Sequence, residues 1–163
     1  MTNNQAVPFN SPLETGVRSL VILNAVFPNS LDLQRLVDFD YLVVHSSDAG
    51  GPKSLHAPLP LRTGELLVRR GLIEKGLILM MSRGLISRDL TLAGIQFTAT
   101  DSANPFLEAL NSTYIFKLKE RAAWVVERFR YSSSDEISNT TRSFFNDWTT
   151  QFQAVELPTK RTP

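Results

Sequence analysis

The 163-residue sequence predicts a mostly helical α+β fold, and three observations carry that expectation. Apolar residues recur at helical spacing over most of the chain. A polar Gly/Pro loop separates the second apolar helix from a helix-turn-helix pattern. Two short strand-like segments follow that pattern immediately. A helix-turn-helix followed by a hairpin is the order of a winged helix-turn-helix domain, here with extra C-terminal helices.

Residues 1–10 read as a disordered tail, polar and without periodicity. Ser11, Pro12 and Glu14 supply an N-cap, an N1 proline and a first-turn acid, and Leu13, Val17, Leu20, Val21, Leu23 and Phe27 then repeat at helical spacing until Pro28. Asn29 and Ser30 offer the next cap. The run from Leu31 to Val44 is apolar enough to be a core helix that stops near Ser46. Ser47 to Arg62 is read as loop, because Gly50, Gly51, Pro52, Pro58 and Pro60 leave little room for regular structure, and a loop this long is usually functional.

After the loop, Thr63–Arg69 is expected as a short helix, Arg70–Gly71 as a turn and Leu72–Arg83 as a second helix closed by Gly84. LISRDL and IQFTAT, around Thr91–Gly94, form the expected wing. A long helix over 104–130, capped by Asn104 and Pro105, carries Phe106, Leu107, Leu110, Tyr114, Leu118, Ala122, Val125, Val126 and Phe129 on one stripe. Ser132–Ser134 read as a hinge before an aromatic amphipathic helix marked by Ile137, Thr141, Phe144, Phe145, Trp148, Phe152 and Val155. The expected division is thus a tail (1–10), a winged-helix domain (11–130), and a hinge, helix and tail (131–163).

Composition excludes several classes. A hydrophobic fraction of 42% with 20% charged residues describes one globular domain, and the absence of cysteine excludes disulfides and thiolate zinc sites. MTNNQAVPFN lacks the features of a signal peptide, and no apolar run approaches a membrane span, so a cytoplasmic protein with no membrane role is expected. The net charge is only +1, but residues 62–88 hold six basic groups (Arg62, Arg69, Arg70, Lys75, Arg83, Arg88) against Glu65 and Glu74. That local excess suits phosphates, while the low overall charge argues against a dedicated DNA binder.

Three motifs bear on chemistry. His45, Asp48 and His56 are ligand types that zinc accepts, and His45 next to Ser46 and Ser47 suggests a base and a nucleophile. The spacing matches no metal or catalytic pattern, so the expected role of His45 and Asp48 is to bond the loop's backbone, with no catalytic residue, metal or cofactor. AGGPK lacks the spacing of a phosphate loop, and Gly50 and Gly51 are expected to serve turns. With Ile73, Leu77, Met80 and Leu85 packed inward, the outer face of the second helix carries Glu74, Lys75, Ile78, Leu79, Met81, Ser82 and Arg83. Aliphatic groups there favour a protein contact over base reading. The final aromatic helix either covers its own domain or docks on a partner.

The segments NSPLETGVRSLVILN, SLDLQRLVDFDYLVVHSSDAGGPKSLHAPLPLRTGELLVRRGLIEKGLILMMSRGLI and FKLKERAAWVVERF resemble the middle component of bacterial ABC-three-component systems over roughly residues 10–130. They are also similar to the small middle subunit of Lamassu-type anti-phage defence. The similarity is greatest at His45, Asp48, Gly50, Gly51, Pro52, Leu55, His56, Pro58, Pro60, Arg62, Gly64, Glu65, Leu66, Leu67, Arg69 and Arg70. The segment after Tyr131 falls outside the shared pattern.

The resemblance implies a non-catalytic accessory subunit that bridges an SMC-like or ABC ATPase to an effector such as a nuclease, with DNA reached through the complex. The residues expected at a partner surface are His45, Asp48, Gly50, Gly51, His56, Arg62, Glu65, Arg69 and Arg70, with Ile78, Leu79 and Met81 as apolar anchor. Nucleic-acid contact would fall to Arg62, Arg69, Arg70, Lys75, Arg83 and Arg88. The alternative is a stand-alone winged-helix transcription regulator; a metal-dependent or Ser/His hydrolase built on the loop is a third class.

Overall fold

Ser11 begins the fold as a helix cap, its hydroxyl accepting from the Glu14 N–H at 3.2 Å while its own N–H donates to the Glu14 carboxylate at 3.4 Å. This capping box starts α1 (Pro12–Val26) where the sequence predicts it. The computed structural model describes residues 11–57 and 65–153, with backbone alone for Glu65 and residues 147–153. After α1 come α2 (Leu33–Val44), a 3-10 turn (Ser46–Ala49), α3 (Glu65–Ser82), β1 (Ile86–Thr91), β2 (Gly94–Ala99), α4 (Ala103–Glu108), α5 (Thr113–Arg128) and α6 (Ser134–Gln153). The protein is mostly helical with one small antiparallel sheet.

Two caps differ from expectation. Asp32, rather than Asn29 or Ser30, starts α2, its carboxylate accepting the Arg35 N–H at 2.8 Å. The reason lies in the sheet: Leu31 donates to and accepts from Phe97 (3.0 and 2.8 Å), so it belongs to the edge of β2 and not to the helix. Similarly, the expected helix over 104–130 is two helices. Ser112 accepts the Ile115 N–H at 3.2 Å and restarts the chain as α5. That Ser112 cap is visible in the sequence as an Asn-Ser-Thr run inside an otherwise helical pattern.

The expected turn at Arg70–Gly71 does not exist, because α3 runs unbroken for 18 residues. Arg69, Ile73, Gly76, Leu77 and Met80 are all buried, and their spacing of four, three, one and three places them on one face only if the helix continues through Gly71. Burial of this stripe outweighs the roughly 1 kcal/mol that a mid-helix glycine costs relative to alanine. Gly76 also sets the approach of α3 to α1: a Cβ there would lie 2.6 Å from the Gly16 nitrogen, and one on Gly16 would lie 2.8 Å from the Gly76 carbonyl oxygen. Gly84, with φ of +69°, closes the segment after α3 as expected.

The hairpin forms as predicted, with Ile86 opposite Ala99, Arg88 opposite Phe97, Leu90 opposite Ile95 and Thr91 opposite Gly94. α6 packs on α2: Ile137 and Thr141 are fully buried, Ser138 Oγ donates to Asp38 Oδ2 at 2.7 Å, and the Tyr41 and Phe145 rings lie 5.1 Å apart. Burial pushes the Asp38 carboxyl up, against the opposing bonds from Ser138 and Gln34. The serine run after α5 acts as a cap, Ser133 and Glu136 making a second capping box (3.2 and 2.6 Å). Arg35 holds the preceding turn by donating to the Phe129 and Ser132 carbonyls at 3.5 and 3.1 Å. The aromatic helix therefore covers its own core as far as its side chains are described. The expected tail, Pro58, Pro60, Thr63 and Val155 lie outside the described residues, as do the side chains of Trp148 and Phe152. Among the described residues no helix is long and apolar enough to cross a membrane.

Urea unfolding tests both glycine assignments. Gly76→Ala should lose about 1–3 kcal/mol through overpacking against α1. Gly71→Ala, with open space around its Cβ position, should gain about 0.4–1 kcal/mol if α3 is continuous.

Candidate functional site

α1, α2 and α3 each send one charged side chain to a common buried point. Asp40 is wholly inaccessible. Arg18 grips it with Nε on Oδ1 at 2.8 Å and Nη2 on Oδ2 at 3.2 Å, and Arg69 Nη1 meets Oδ2 at 2.5 Å. Burial alone would raise the Asp40 pKa, but the two guanidinium groups outweigh it and hold the carboxyl at about 2. Two cations against one anion leave the centre positive. Arg69 meets that excess partly by lying over the Tyr41 ring, 5.6 Å from its centroid, and Arg18 by bonding the Tyr114 hydroxyl.

Burial and the positive centre together set the state of both histidines. Burial first and Arg69 second push His45 down to about 4, and burial first and Arg18 second do the same to His56. Both are therefore neutral at pH 7. The His56 Nε2 lies 3.0 Å from the Tyr114 hydroxyl. Arg18 bonds that hydroxyl as well, so Tyr114 links the charged centre to His56. Tyr41 donates to Asp48 Oδ2 at 2.6 Å, and burial together with that carboxylate raises the Tyr41 pKa.

The loop after α2 is tied down from several sides. Ser46 Oγ donates to the Pro52 carbonyl at 2.8 Å, Ser54 Oγ accepts the Ser47 N–H at 3.1 Å, and the Leu55 and His56 N–H groups reach the Val44 carbonyl at 3.0 and 3.1 Å. Arg121 donates twice to the Lys53 carbonyl, at 3.1 and 2.9 Å. Gly50 turns the chain with φ of +76°, and Gly51 is a glycine because a Cβ would sit 2.5 Å from the Trp124 ring. Serines and Arg121 satisfy the loop's backbone, whereas His45 and Asp48 were the expected partners. Asp48 instead binds Tyr41, and His45 Nε2 has no hydrogen-bond partner among the described residues. The Ser46 and Ser47 hydroxyls bond Pro52 and Ser54, so neither is paired with an imidazole. Among the described residues no group of three His, Cys, Asp or Glu side chains could hold a metal.

The remaining sequence-predicted residues divide between this centre and the surface. Arg69 and His45 are buried, which removes them from any surface contact with a partner or a phosphate. Arg62 and the Glu65 side chain lie outside the described residues. Arg70 is half-buried, 3.8 Å from Glu74, and donates to Gln34 at 3.4 Å. Lys75, Arg83 and Arg88 are exposed. Ile78 is 63% exposed, and with Met81, Arg70 and Arg88 it lines a groove of about 520 Å³. The groove lies between the start of α2, the outer face of α3 and the hairpin, where Leu33, Leu77, Ala93, Ile95 and Phe97 line it together with the polar Asp32, Gln34 and Glu74. Leu79 is not part of it, but joins Leu13, Arg83 and Phe106 in a smaller cleft.

Sequence reasoning missed the hairpin's share of this surface. Leu90, Leu92 and Ile95 are exposed at and beside its tip. The signal was present in the run Leu90-Thr91-Leu92, which places two leucines at the hairpin turn.

Residues 8–151 match the family model of the ABC-three component (ABC-3C) system Middle Component 2. The match runs through α6, beyond residue 130, so the aromatic helix is inside the shared pattern. No curated protein and no solved structure matches the chain.

Thermal melts across pH test the charged centre. Asp40→Ala leaves two buried guanidinium groups uncompensated and should cost about 3–5 kcal/mol. The histidines predict a further loss as pH falls from about 6.5 to 4, because there the unfolded chain binds protons that the folded protein refuses. His45→Gln with His56→Gln should flatten that limb. The Asp40 contribution is present above its ordinary value of 3.8 and disappears as pH falls through about 2.

Proposed function

Because the chain belongs to the Middle Component 2 family of ABC-three component systems, we propose that it is a non-catalytic accessory subunit that joins an SMC-like ABC ATPase to an effector such as a nuclease. Membership alone supports work with the other components of the system. The observation that carries the finer reading is the apolar groove, in which Ile78, Met81 and Ile95 face outward where a nucleic-acid reader presents polar groups to base edges. Asp48, Ser46 and Ser47 are hydrogen-bonded to Tyr41, Pro52 and Ser54.

The order α1, Leu31 bridge, α2, α3 and hairpin supports a winged-helix reading in which α2 and α3 are the helix pair and Leu31 stands as a one-residue third strand. In this reading α3 and the hairpin serve protein contact. Lys75, Arg83 and Arg88, exposed and without an ion pair among the described residues, supply sequence-independent contact to DNA that the complex engages. These same cations favour the second reading, a stand-alone winged-helix regulator, which requires tight DNA binding by the isolated chain with a steep salt dependence. An anti-phage role follows from the first reading, the effector being held inactive until the ATPase meets foreign DNA.

Co-expression with the other two components, followed by sizing with mass detection, tests the subunit reading. The wild-type chain should elute in a stable complex with an ATPase. Ile78→Asp with Met81→Asp should reduce that assembly at least about tenfold, as expected for loss of a buried apolar anchor, and leave the melting transition cooperative. A folded double variant that assembles normally contradicts the assigned surface. A wild-type chain that elutes alone and shifts duplex DNA supports the regulator.

A further inference from the structure

We propose that the groove between β2 and α3 receives an extended apolar segment of a partner protein, which adds as a strand to the free edge of β2 at Ile95. The inference rests on the accessory-subunit reading and deepens it by naming how the partner is held.

The backbone pattern carries the argument. Phe97 exchanges both its N–H and its C=O with Leu31, so both groups point away from β1. The unbroken antiparallel register then makes Phe97–Arg88 and Ile95–Leu90 the non-hydrogen-bonded pairs, and Ile95 N–H and C=O point to the same outer edge as those of Phe97. The Leu31 line does not continue to meet them. Asp32 turns the chain into α2, and the groove opens where the next residues of a strand would lie, with Leu33 on one wall and Ile95 on the other.

The same position carries unpartnered apolar surface. Ile86 and Ala99, opposite each other at the base of the hairpin, are buried. Leu90 and Ile95, on the same face nearer its tip, are 84% and 50% exposed. The core face of the sheet thus extends past the body that covers its base. An extended segment with an apolar side chain at every second residue continues that face onto Ile78 and Met81 while bonding Ile95.

These features select the occupant. A helix in the groove would bury the Ile95 N–H and C=O without partners. A second copy offering the same edge has only Ala93–Gln96 open, because Leu31 already occupies Phe97. Asp32 and Glu74 balance Arg70 and Arg88 in the lining, so the groove selects its occupant by backbone pairing and apolar contact and not by net charge.

Backbone hydrogen exchange on the full chain, alone and in complex with the other two components, tests this. The Ile95 amide should slow at least about tenfold in the complex. Ile95→Pro removes that N–H without touching a ladder bond and should weaken assembly at least about tenfold, whereas Ile95→Val should not. Unchanged exchange at Ile95 in a stable complex, or a folded Ile95→Pro chain that assembles normally, overturns strand addition and leaves the subunit reading standing. If Ile95→Pro does not fold, the exchange result on the wild-type complex decides. A homodimer that protects Ile95 overturns the choice of occupant. Failure of the wild-type chain to join either component overturns both readings.

Discussion

The carboxylate of Asp40 is the point on which the three principal helices agree. A buried charge is tolerated only when paired, and here the pairing partners come from α1 and α3, so the charge cannot be satisfied unless all three helices are in place. The two-to-one ratio of guanidinium to carboxylate then propagates outward. It adds to the burial that keeps His45 and His56 neutral, sets Arg18 and His56 against the Tyr114 hydroxyl, and places Arg69 over Tyr41. Tyr41 in turn fixes Asp48 in the turn after α2 and packs on Phe145 of α6. One ion triad therefore links the helical body to the loop and to the last helix.

This distribution reverses the usual guide to function. Histidines, arginines, serines and glycines concentrated in one loop suggest a reactive site, yet here they are mostly consumed in holding that loop against α2 and α5. The surface that lacks an internal partner is aliphatic and is built from α3 and the hairpin. Its existence depends on the same triad, because Arg69 anchors the first turns of α3 and Gly76 seats its middle against α1. With its inner face fixed twice, α3 turns Ile78 and Met81 toward the hairpin.

Much of this was legible in the residues. The Ser11 cap with its first-turn acid Glu14, the apolar run of α2, the hairpin around Thr91–Gly94 and the inward set Ile73, Leu77, Met80 and Leu85 all follow from local pattern. The departures have separate physical causes. Arg69 belongs to the buried stripe of α3, and leaving it out made Gly71 look like a turn. Ser112 sits inside an apolar stripe and Ser133 inside a serine run, so spacing alone does not show that each caps a helix. Leu31 was assigned to α2 because nothing local reveals that its backbone is taken by Phe97, far along the chain. The apolar anchor was half legible. Ile78 and Met81 meet in the groove, but Leu79 points to another cleft and Ile95 comes from an element that periodicity cannot place beside α3.

The charged centre holds the fold and touches no partner. This is tested most directly by replacing the triad with apolar residues of similar volume, Arg18→Met, Asp40→Leu and Arg69→Met, a change that buried ion groups tolerate in some proteins without loss of fold. The measurement is assembly of the refolded triple variant with the other components of the system, by sizing with mass detection. The account predicts the same complex in the same ratio as the wild-type chain. A triple variant that folds cooperatively but fails to assemble would show that Arg18, Asp40 or Arg69 acts beyond the fold, and would contradict it.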